Sequence, residues 1–385
     1  MRTMCFRAAG TSQLRPALCV ILILVMGSML WPDDAICSEE RRITDMAGRT
    51  TTIPQKVDRV ICSGSGCLRL LTYLKAHDRI VAVDSIEIKG SPIDARPYAI
   101  ANPQFKDYPL FGEFRGHDNP ELIAGLDPQP RVIFKAFAGR GQDPDQLQTK
   151  TGIPVITLEY GNLTYGREQL NRALRLMAEV MGETKRAEAV ISYFNALEQD
   201  LKRRTQDIPL DQRPTCYVGG LGQAGPHGFQ STEPSFAPFV FTNARNVAAP
   251  SPGEKPLSHA TVAKEQIVFW NPSVVFLDVS TLRLGSGSDA SALNQLRTDA
   301  AYQGLSAVRE DKVFGLFPNK SYNENFDAVF ANAYYVGKVL YPEKFADVDP
   351  MTKAEEISTF LNGGPAFESL NQQFDELAFS RIKIR

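Results

Sequence analysis

The run ETKRAEAVISYFNALEQDLKRRT, Glu183 to Thr205, has the pattern of one long helix. Val190, Ile191, Phe194, Leu197 and Leu201 fall on one stripe, at the spacing of a helix with a single buried face. The other positions are mostly charged, acidic early and basic late, as the helix dipole favours. Gly182 stands before the run and Pro209 soon after it. At 1.5 Å per residue the helix would span roughly 35 Å, about the width of a small domain. Segments with a similar α/β rhythm lie on both sides. A rigid rod between two such halves predicts two lobes on a spine, with a cleft between them.

Before the spine, Thr50 to Ile53 is strand-like, and Gly48 marks a tight turn ahead of it. Arg59 to Cys62 is a short apolar strand, Ser63 to Gly66 a Gly/Ser loop, Cys67 to Lys75 a helix and Ile80 to Val83 a strand. That succession is a βαβ unit, the building block of a parallel sheet. A helix is expected from Pro120 to Leu126, with Pro at its favoured first position, then a strand from Arg131 to Phe134. A helix near Asp145 to Lys150, a strand Val155 to Leu158 and a helix Arg167 to Met181 complete the first half.

After the spine the pattern resumes with a strand at Thr215 to Gly219, a Gly/Pro-rich loop and a helix near Phe236 to Asn243. A late strand at Val313 to Leu316 and a helix from Phe326 to Leu340 follow. The tail, Lys353 to Gly363 and Phe367 to Phe379, reads as one or two helices packed on the outside. One segment repeats across the spine. Glu121-Leu-Ile-Ala-Gly-Leu-Asp-Pro128 and Glu265-Gln-Ile-Val-Phe-Trp-Asn-Pro272 share a Glu, an apolar helix and a Pro at equal spacing, each followed by an apolar strand. Two lobes of one design would place Glu121 and Glu265 at corresponding points on their surfaces.

The chain of 385 residues is long enough for two ordinary domains, and its net charge of -2 shows no basic block for nucleic acid. Arg2, Arg7 and Arg15 precede the apolar run Ala17 to Leu30. That run is shorter than the ~20 residues that cross a bilayer and fits the core of a secretory signal. Residues 1–38 are therefore expected to be a signal peptide, followed by lobes at 39–182 and 207–385 around a connecting helix at 183–206. Ile36 before Cys37 is a poor fit to a lipoprotein site, so a soluble periplasmic protein without a lipid anchor is expected. Of six cysteines, Cys62, Cys67 and Cys216 lie well beyond the signal. Export permits disulfides, and Cys62 and Cys67 are close enough in sequence to pair or to stay free.

At these residues the chain resembles the substrate-binding proteins of ABC importers for iron-siderophores, haem and cobalamin. The opening ITDMAGRTTTIPQKVDRVI, the helix-strand segments at Glu121 and Glu265, the spine and the late FPNKSYNENFDAVFANAYYVGKVLYP carry the likeness, from about Ile43 to Tyr341. The resemblance implies an α/β fold of two Rossmann-like lobes bridged by a single long helix, the class III periplasmic binding protein type. It implies a small-molecule metal chelate as cargo, of the ferric siderophore type, with no resident cofactor. It also implies a monomer that docks on the transmembrane subunits of an ABC permease through Glu121 and Glu265. Read from the residues alone, each is an exposed first-turn acid, where the dipole favours it.

In two-lobed α/β proteins the ligand lies beyond the carboxyl ends of the strands. Four loops are candidates. Ser63, Ser65 and Cys67 belong to the first, whose glycines permit close backbone approach to an anionic group or simply make a tight turn. Glu113, Phe114 and Arg115 belong to the second, where Phe114 suits stacking and Arg115 suits a carboxylate or a surface ion pair. His227 sits in the third, as a metal ligand, a hydrogen-bonding group or neither. Tyr322 and Asn323 lie in the fourth, which offers donors and an aromatic face or caps the next helix.

No nucleophile elbow, HExxH or CxxC pair is present, and the Gly/Ser loop lacks both dinucleotide and Walker spacing. A non-enzyme is expected. Other cargoes in view are a corrinoid, haem, an oxyanion or a bare metal ion, the last held by Cys67, Glu113 and His227. A two-lobed metal-handling enzyme such as a chelatase is the alternative from another class.

Overall fold

The computed structural model describes residues 39–89, 93–251, 253–285 and 288–384. The expected signal, with Cys5, Cys19 and Cys37, lies outside the described residues. Residues from Glu39 onward form one compact unit.

Two parallel sheets organise it. The first has strand order Val60–Ser63, Val132–Ala136, Val155–Leu158, with Val60 opposite Val132 and Ile133 opposite Val155. The second has order Arg245–Asn246, Thr215–Gly219, Val274–Asp278, Val313–Leu316, also parallel throughout. The strands VICS, VIFKA, VITL and VVFLD are buried at every position, because helices cover both faces. An antiparallel pair, Glu40–Thr44 with Thr50–Pro54, precedes the first sheet and turns at Gly48, whose φ is 79°.

The predicted strand Ile80 to Val83 is divided. Ile80 makes only a bridge to Val60, while Val83–Asp84 pairs with Leu110–Glu113 in a separate small sheet. That sheet closes with a hairpin to His117–Asp118.

The spine runs from Thr184 to Thr205 and buries Val190, Ile191, Phe194, Leu197 and Leu201, the stripe read from the sequence. Each such side chain contributes about 1.5–3 kcal/mol through burial. Phe194 stacks on Phe330 of the helix Phe326–Leu340, which is buried along nearly all its length.

The C-terminal tail forms two helices, Pro350–Asn362 and Phe367–Gln372, on the outside of the fold, and they pack against both halves. Helix Pro350–Asn362 packs on Phe326–Leu340 and on the first-half helices Cys67–Tyr73 and Pro97–Ile100. Asn102 donates to the Asn362 carbonyl (3.0 Å), Arg186 to the Phe360 carbonyl (2.5 Å) and the Asp94 backbone to Gln373 (3.0 Å). The sequence shows mixed polarity here because these helices bury one face and expose the other.

Candidate functional site

A cleft of about 660 Å³ opens where the carboxyl ends of the parallel strands converge. Its lining comes from the segments that follow six strands: Ser65; Phe137 and Arg140; Asn162 to Tyr165; Gly222 to Pro226; Ser280 and Arg283; Lys320 to Glu324. The hairpin tip Phe114–Arg115, the Asp94–Arg96 pair, Ile86, Ile93, Glu233 and Ser258 complete it.

The first-half wall presents cations over aromatic rings. The Arg115 guanidinium lies 5.1 Å from the Phe114 ring centre, and that of Arg140 lies 5.2 Å from Phe137. Among the described residues neither guanidinium has a carboxylate partner. The hairpin is held from beneath by Lys135, a fully buried strand residue. Its Nζ donates to Asp118 (2.6 Å), to the Gly116 carbonyl (3.1 Å) and to Ser63 Oγ (3.4 Å).

Among the described residues, five of the twelve non-glycine residues with positive φ line this cleft: Arg115, Phe137, Ala224, Tyr322 and Asn323. Left-handed backbone is uncommon for side chains of this bulk and costs on the order of 1–3 kcal/mol where it occurs. Such strain persists only where the surroundings fix it, and it gathers at binding sites.

The floor is where the two halves meet. Arg69, fully buried, donates to the Ser321 carbonyl (2.8 Å), the Glu324 carbonyl (2.9 Å), Asn325 Oδ1 (2.6 Å) and Tyr160 Oη (2.7 Å). Burial pulls its pKa down, but the Tyr160, Tyr73 and Tyr98 phenols outweigh this and raise it. Tyr322 Oη donates to Asp84 (2.5 Å) and accepts from the Arg115 backbone (2.8 Å). Asn323 donates to the Ser65 carbonyl (3.1 Å). Burial pushes the Asp84 carboxyl up to about 7 against the pull of the Tyr322 hydrogen bond.

The second-half wall is acidic and internal. Lys320 bridges Glu233 (2.9 Å) and the Ser258 carbonyl (2.7 Å). Glu324 Oε2 is buried without a hydrogen-bond partner, and burial followed by the nearby Glu233 pushes its carboxyl up to about 8. Burial likewise raises Asp278 to about 7.

The sequence candidates divide in two. Ser65, Phe114, Arg115, Tyr322 and Asn323 line the cleft. Four others do not. Ser63 is buried under Lys135. Cys67 is buried, with its thiol 3.6 Å from the Phe134 carbonyl. Glu113 turns outward, accepting from Lys89 (2.8 Å) and Ser85 (2.7 Å), which hold its pKa down. His227 is half-buried, its Nε2 2.7 Å from the Gln223 carbonyl, and only its neighbour Pro226 reaches the cleft. The trio Cys67, Glu113 and His227 is not brought together, and no group of three or more His, Cys, Asp or Glu among the described residues could hold a metal ion. Cys62, Cys67 and Cys216 are free and buried.

The glycines of the first loop serve the interior. A Cβ on Gly64 would stand 2.7 Å from the Ala136 carbonyl, and one on Gly66 would collide with the Tyr160 ring. Sequence reading missed Arg140, Phe137, Arg283, Glu233, Lys320 and Glu324. The rule that selected Ser65 also selects residues 137–142 and 161–165, since each follows a parallel strand.

Glu121 and Glu265 lie away from the cleft, exposed, in the first turns of helices Pro120–Ala124 and Lys264–Trp270. Asn119 caps the first by accepting from the Glu121 and Leu122 backbones. Glu121 borders a separate surface groove of about 790 Å³ that also takes in Glu113, Leu110, Leu122 and Lys150.

The family pattern for periplasmic binding proteins matches residues 60–319. In sequence the chain is 23% identical over 332 residues to the molybdate-binding protein MolA of Haemophilus influenzae, covering 80% of this chain and 87% of that one. The solved structure of MolA bound to molybdate, the cognate binding protein of an ABC transporter, aligns with a TM-score of 0.62 at 20% identity, over 84% of this chain and 98% of that one. A periplasmic solute binding protein from Veillonella parvula aligns at 0.64 with 16% identity, over 87% and 97%. The periplasmic haem-binding protein HutB of Vibrio cholerae aligns at 0.53 with 17% identity, over 74% and 99%. The chain therefore belongs to the periplasmic binding protein family, with the two-lobed α/β fold of its class III members.

Proposed function

We propose that this protein is the solute-binding component of an ABC importer and carries an anionic metal chelate in its cleft. The observation that supports this reading is the charge of the lining. It holds five cations, Arg96, Arg115, Arg140, Arg283 and Lys320. Against them stand Asp94, Glu233 and Glu324, and Glu324 stays largely protonated at neutral pH. Asp94 is bound by Arg96 (2.7 Å) and Glu233 by Lys320 (2.9 Å), while Arg115 and Arg140 have no carboxylate partner among the described residues, so the balance they leave for a ligand is positive. The volume lies within the ~300–1,000 Å³ of sites for drug-sized molecules and exceeds the need of a bare tetrahedral ion. The protein would be exported by its signal, work as a free monomer of two lobes (39–182 and 207–385) around the helix 183–206, and dock through Glu121 and Glu265.

The similarity to molybdate-binding MolA favours a second reading, an oxyanion as cargo. Thermal unfolding against ferric tricatecholate and citrate chelates, haem, cobalamin, molybdate and free metal ions separates the two. A ligand of the folded state adds about 2.7 kcal/mol at a hundredfold excess over Kd. Stabilisation by anionic chelates supports the first reading, and stabilisation by molybdate alone moves the assignment to the second. A response confined to cobalamin or free cations overturns both. For docking, the Glu121→Ala/Glu265→Ala double variant is expected to lose uptake with cargo affinity intact, and unimpaired uptake would end that role.

A further inference from the structure

The hairpin that carries Arg115 into the cleft joins Leu110–Glu113 to His117–Asp118, with Glu113 opposite His117. Its tip is Phe114, Arg115 and Gly116. Arg115 and Gly116 both take left-handed backbone, with φ of 65° and 80°. Gly116 does so freely, whereas the Arg115 side chain disfavours it. A conformation of this kind persists where its surroundings hold it.

The amides of the tip show what holds it. Phe114 donates to Ser85 Oγ (3.0 Å), and that hydroxyl donates on to Glu113 (2.7 Å), all within the first half. Arg115 donates instead to Tyr322 Oη (2.8 Å), which belongs to the second half. The phenol gives its own proton to Asp84, the neighbour of Ser85, so its lone pairs are left for the Arg115 amide. The Tyr322 ring also lies 6.3 Å from the Phe114 ring.

Tyr322 is in turn pinned. It sits in a tight turn in which Lys320 bridges to Glu324 and Ser321 donates to the Asn323 carbonyl (2.9 Å). Arg69 holds the Ser321 carbonyl (2.8 Å), and Asn323 holds the Ser65 carbonyl (3.1 Å). Lys135 fixes the hairpin from its own half, through Asp118 and the Gly116 carbonyl. The Arg115 amide between these two anchors is fixed from the other half.

We propose that Tyr322 is a positioning residue for Arg115, its phenol holding the hairpin tip so that the guanidinium faces an anionic cargo. This inference deepens the anionic-cargo reading and rests on it. Because the support comes from the opposite half, separating the halves removes it. Opening of the cleft and loosening of Arg115 are then one event.

Tyr322→Phe keeps the ring and removes the hydroxyl. Without cargo, hydrogen exchange at the Arg115 amide should quicken roughly tenfold, read by mass spectrometry with residue-level fragmentation, and the Phe114 amide on Ser85 should change less. Calorimetric titration with ferric tricatecholate and ferric citrate should show affinity lowered roughly tenfold. In an Arg115→Ala background the same substitution should cost less than about twofold, since no guanidinium is left to position. Losses that add across the two substitutions make Tyr322 a direct cargo contact and overturn the positioning role. Exchange at Arg115 that matches the parent overturns it too, as does a quickening shared equally by the buried strand Val132–Ala136, which marks general loosening. A parent protein that binds neither chelate overturns the cargo reading, and this inference with it.

Discussion

The two walls of the cleft carry charge in opposite ways. On the first-half wall, Arg115 and Arg140 are exposed and lie over Phe114 and Phe137. On the second-half wall, Glu233, Lys320 and Glu324 are withdrawn into the protein and answer mainly to one another. The arginine wall keeps its donors for something that arrives, and the rings beneath hold the guanidiniums without consuming them. The acidic wall is mostly satisfied before anything arrives. If the cargo is the anionic chelate proposed above, its recognition would belong mainly to one side, while the other side shapes the space.

The sharpest way to break this comparison is to remove the arginines. Arg115→Ala with Arg140→Ala should lower affinity for the anionic cargo about a thousandfold, from two charge-assisted contacts worth about 1.5–3 kcal/mol each. Calorimetric titration with the ligand found by thermal unfolding checks this, and a loss under tenfold would return recognition to the second wall. Next in size is the floor that joins the walls. Arg69→Met strands the Ser321 carbonyl and Asn325 Oδ1 and should cost about 3 kcal/mol or more of stability in urea unfolding.

A smaller effect concerns pH. Glu324 is raised from 4.5 to about 8 in the folded state, so between those values the native protein holds a proton that the unfolded chain has lost. Stability therefore falls as pH rises across that window, by up to about 1.4 kcal/mol per pH unit from this group. Asp84 and Asp278 act in the same direction, so the informative quantity is the difference between parent and Glu324→Gln. The variant's curve should be flatter from pH 5 to 8, and parallel curves would show that Glu324 is already ionised. Smallest of all, Cys67→Ser and His227→Ala should each leave cargo affinity within about twofold, since neither side chain lines the cleft. A large loss from either would restore a direct metal site.

Much of the fold was legible because its signals are local. The spine's stripe, the strands Val155–Leu158, Thr215–Gly219 and Val313–Leu316, and the helices Arg167–Met181 and Phe326–Leu340 have the bounds their periodicity predicts. The tail's two outer helices were legible but their packing on the first half was not, because an amphipathic helix shows that it has a buried face without showing which neighbour covers it. In the site, the aromatic and polar loop residues Phe114, Arg115, Tyr322 and Asn323 announced themselves. Cys67 misled, because the helix Cys67–Tyr73 is buried all round and its start has no open side. Arg69 lies in that same helix, where a basic residue reads as the solvated face. Its partners Ser321, Glu324 and Asn325 are more than 250 positions away, and no spacing rule connects them.

The Arg69 contact has a consequence for conditions of use. Its guanidinium stays charged at any pH the protein will meet, its carbonyl acceptors do not titrate, and burial keeps dissolved ions from screening it. The walls behave otherwise: the exposed arginines weaken as ionic strength rises, and the buried acids respond to acidity. In a compartment that follows the surrounding medium, the Arg69 contact would hold while the grip across the cleft varies. Salt and acidity would then act through the walls and through the Tyr322–Asp84 contact, and leave the Arg69 contact between the halves unchanged.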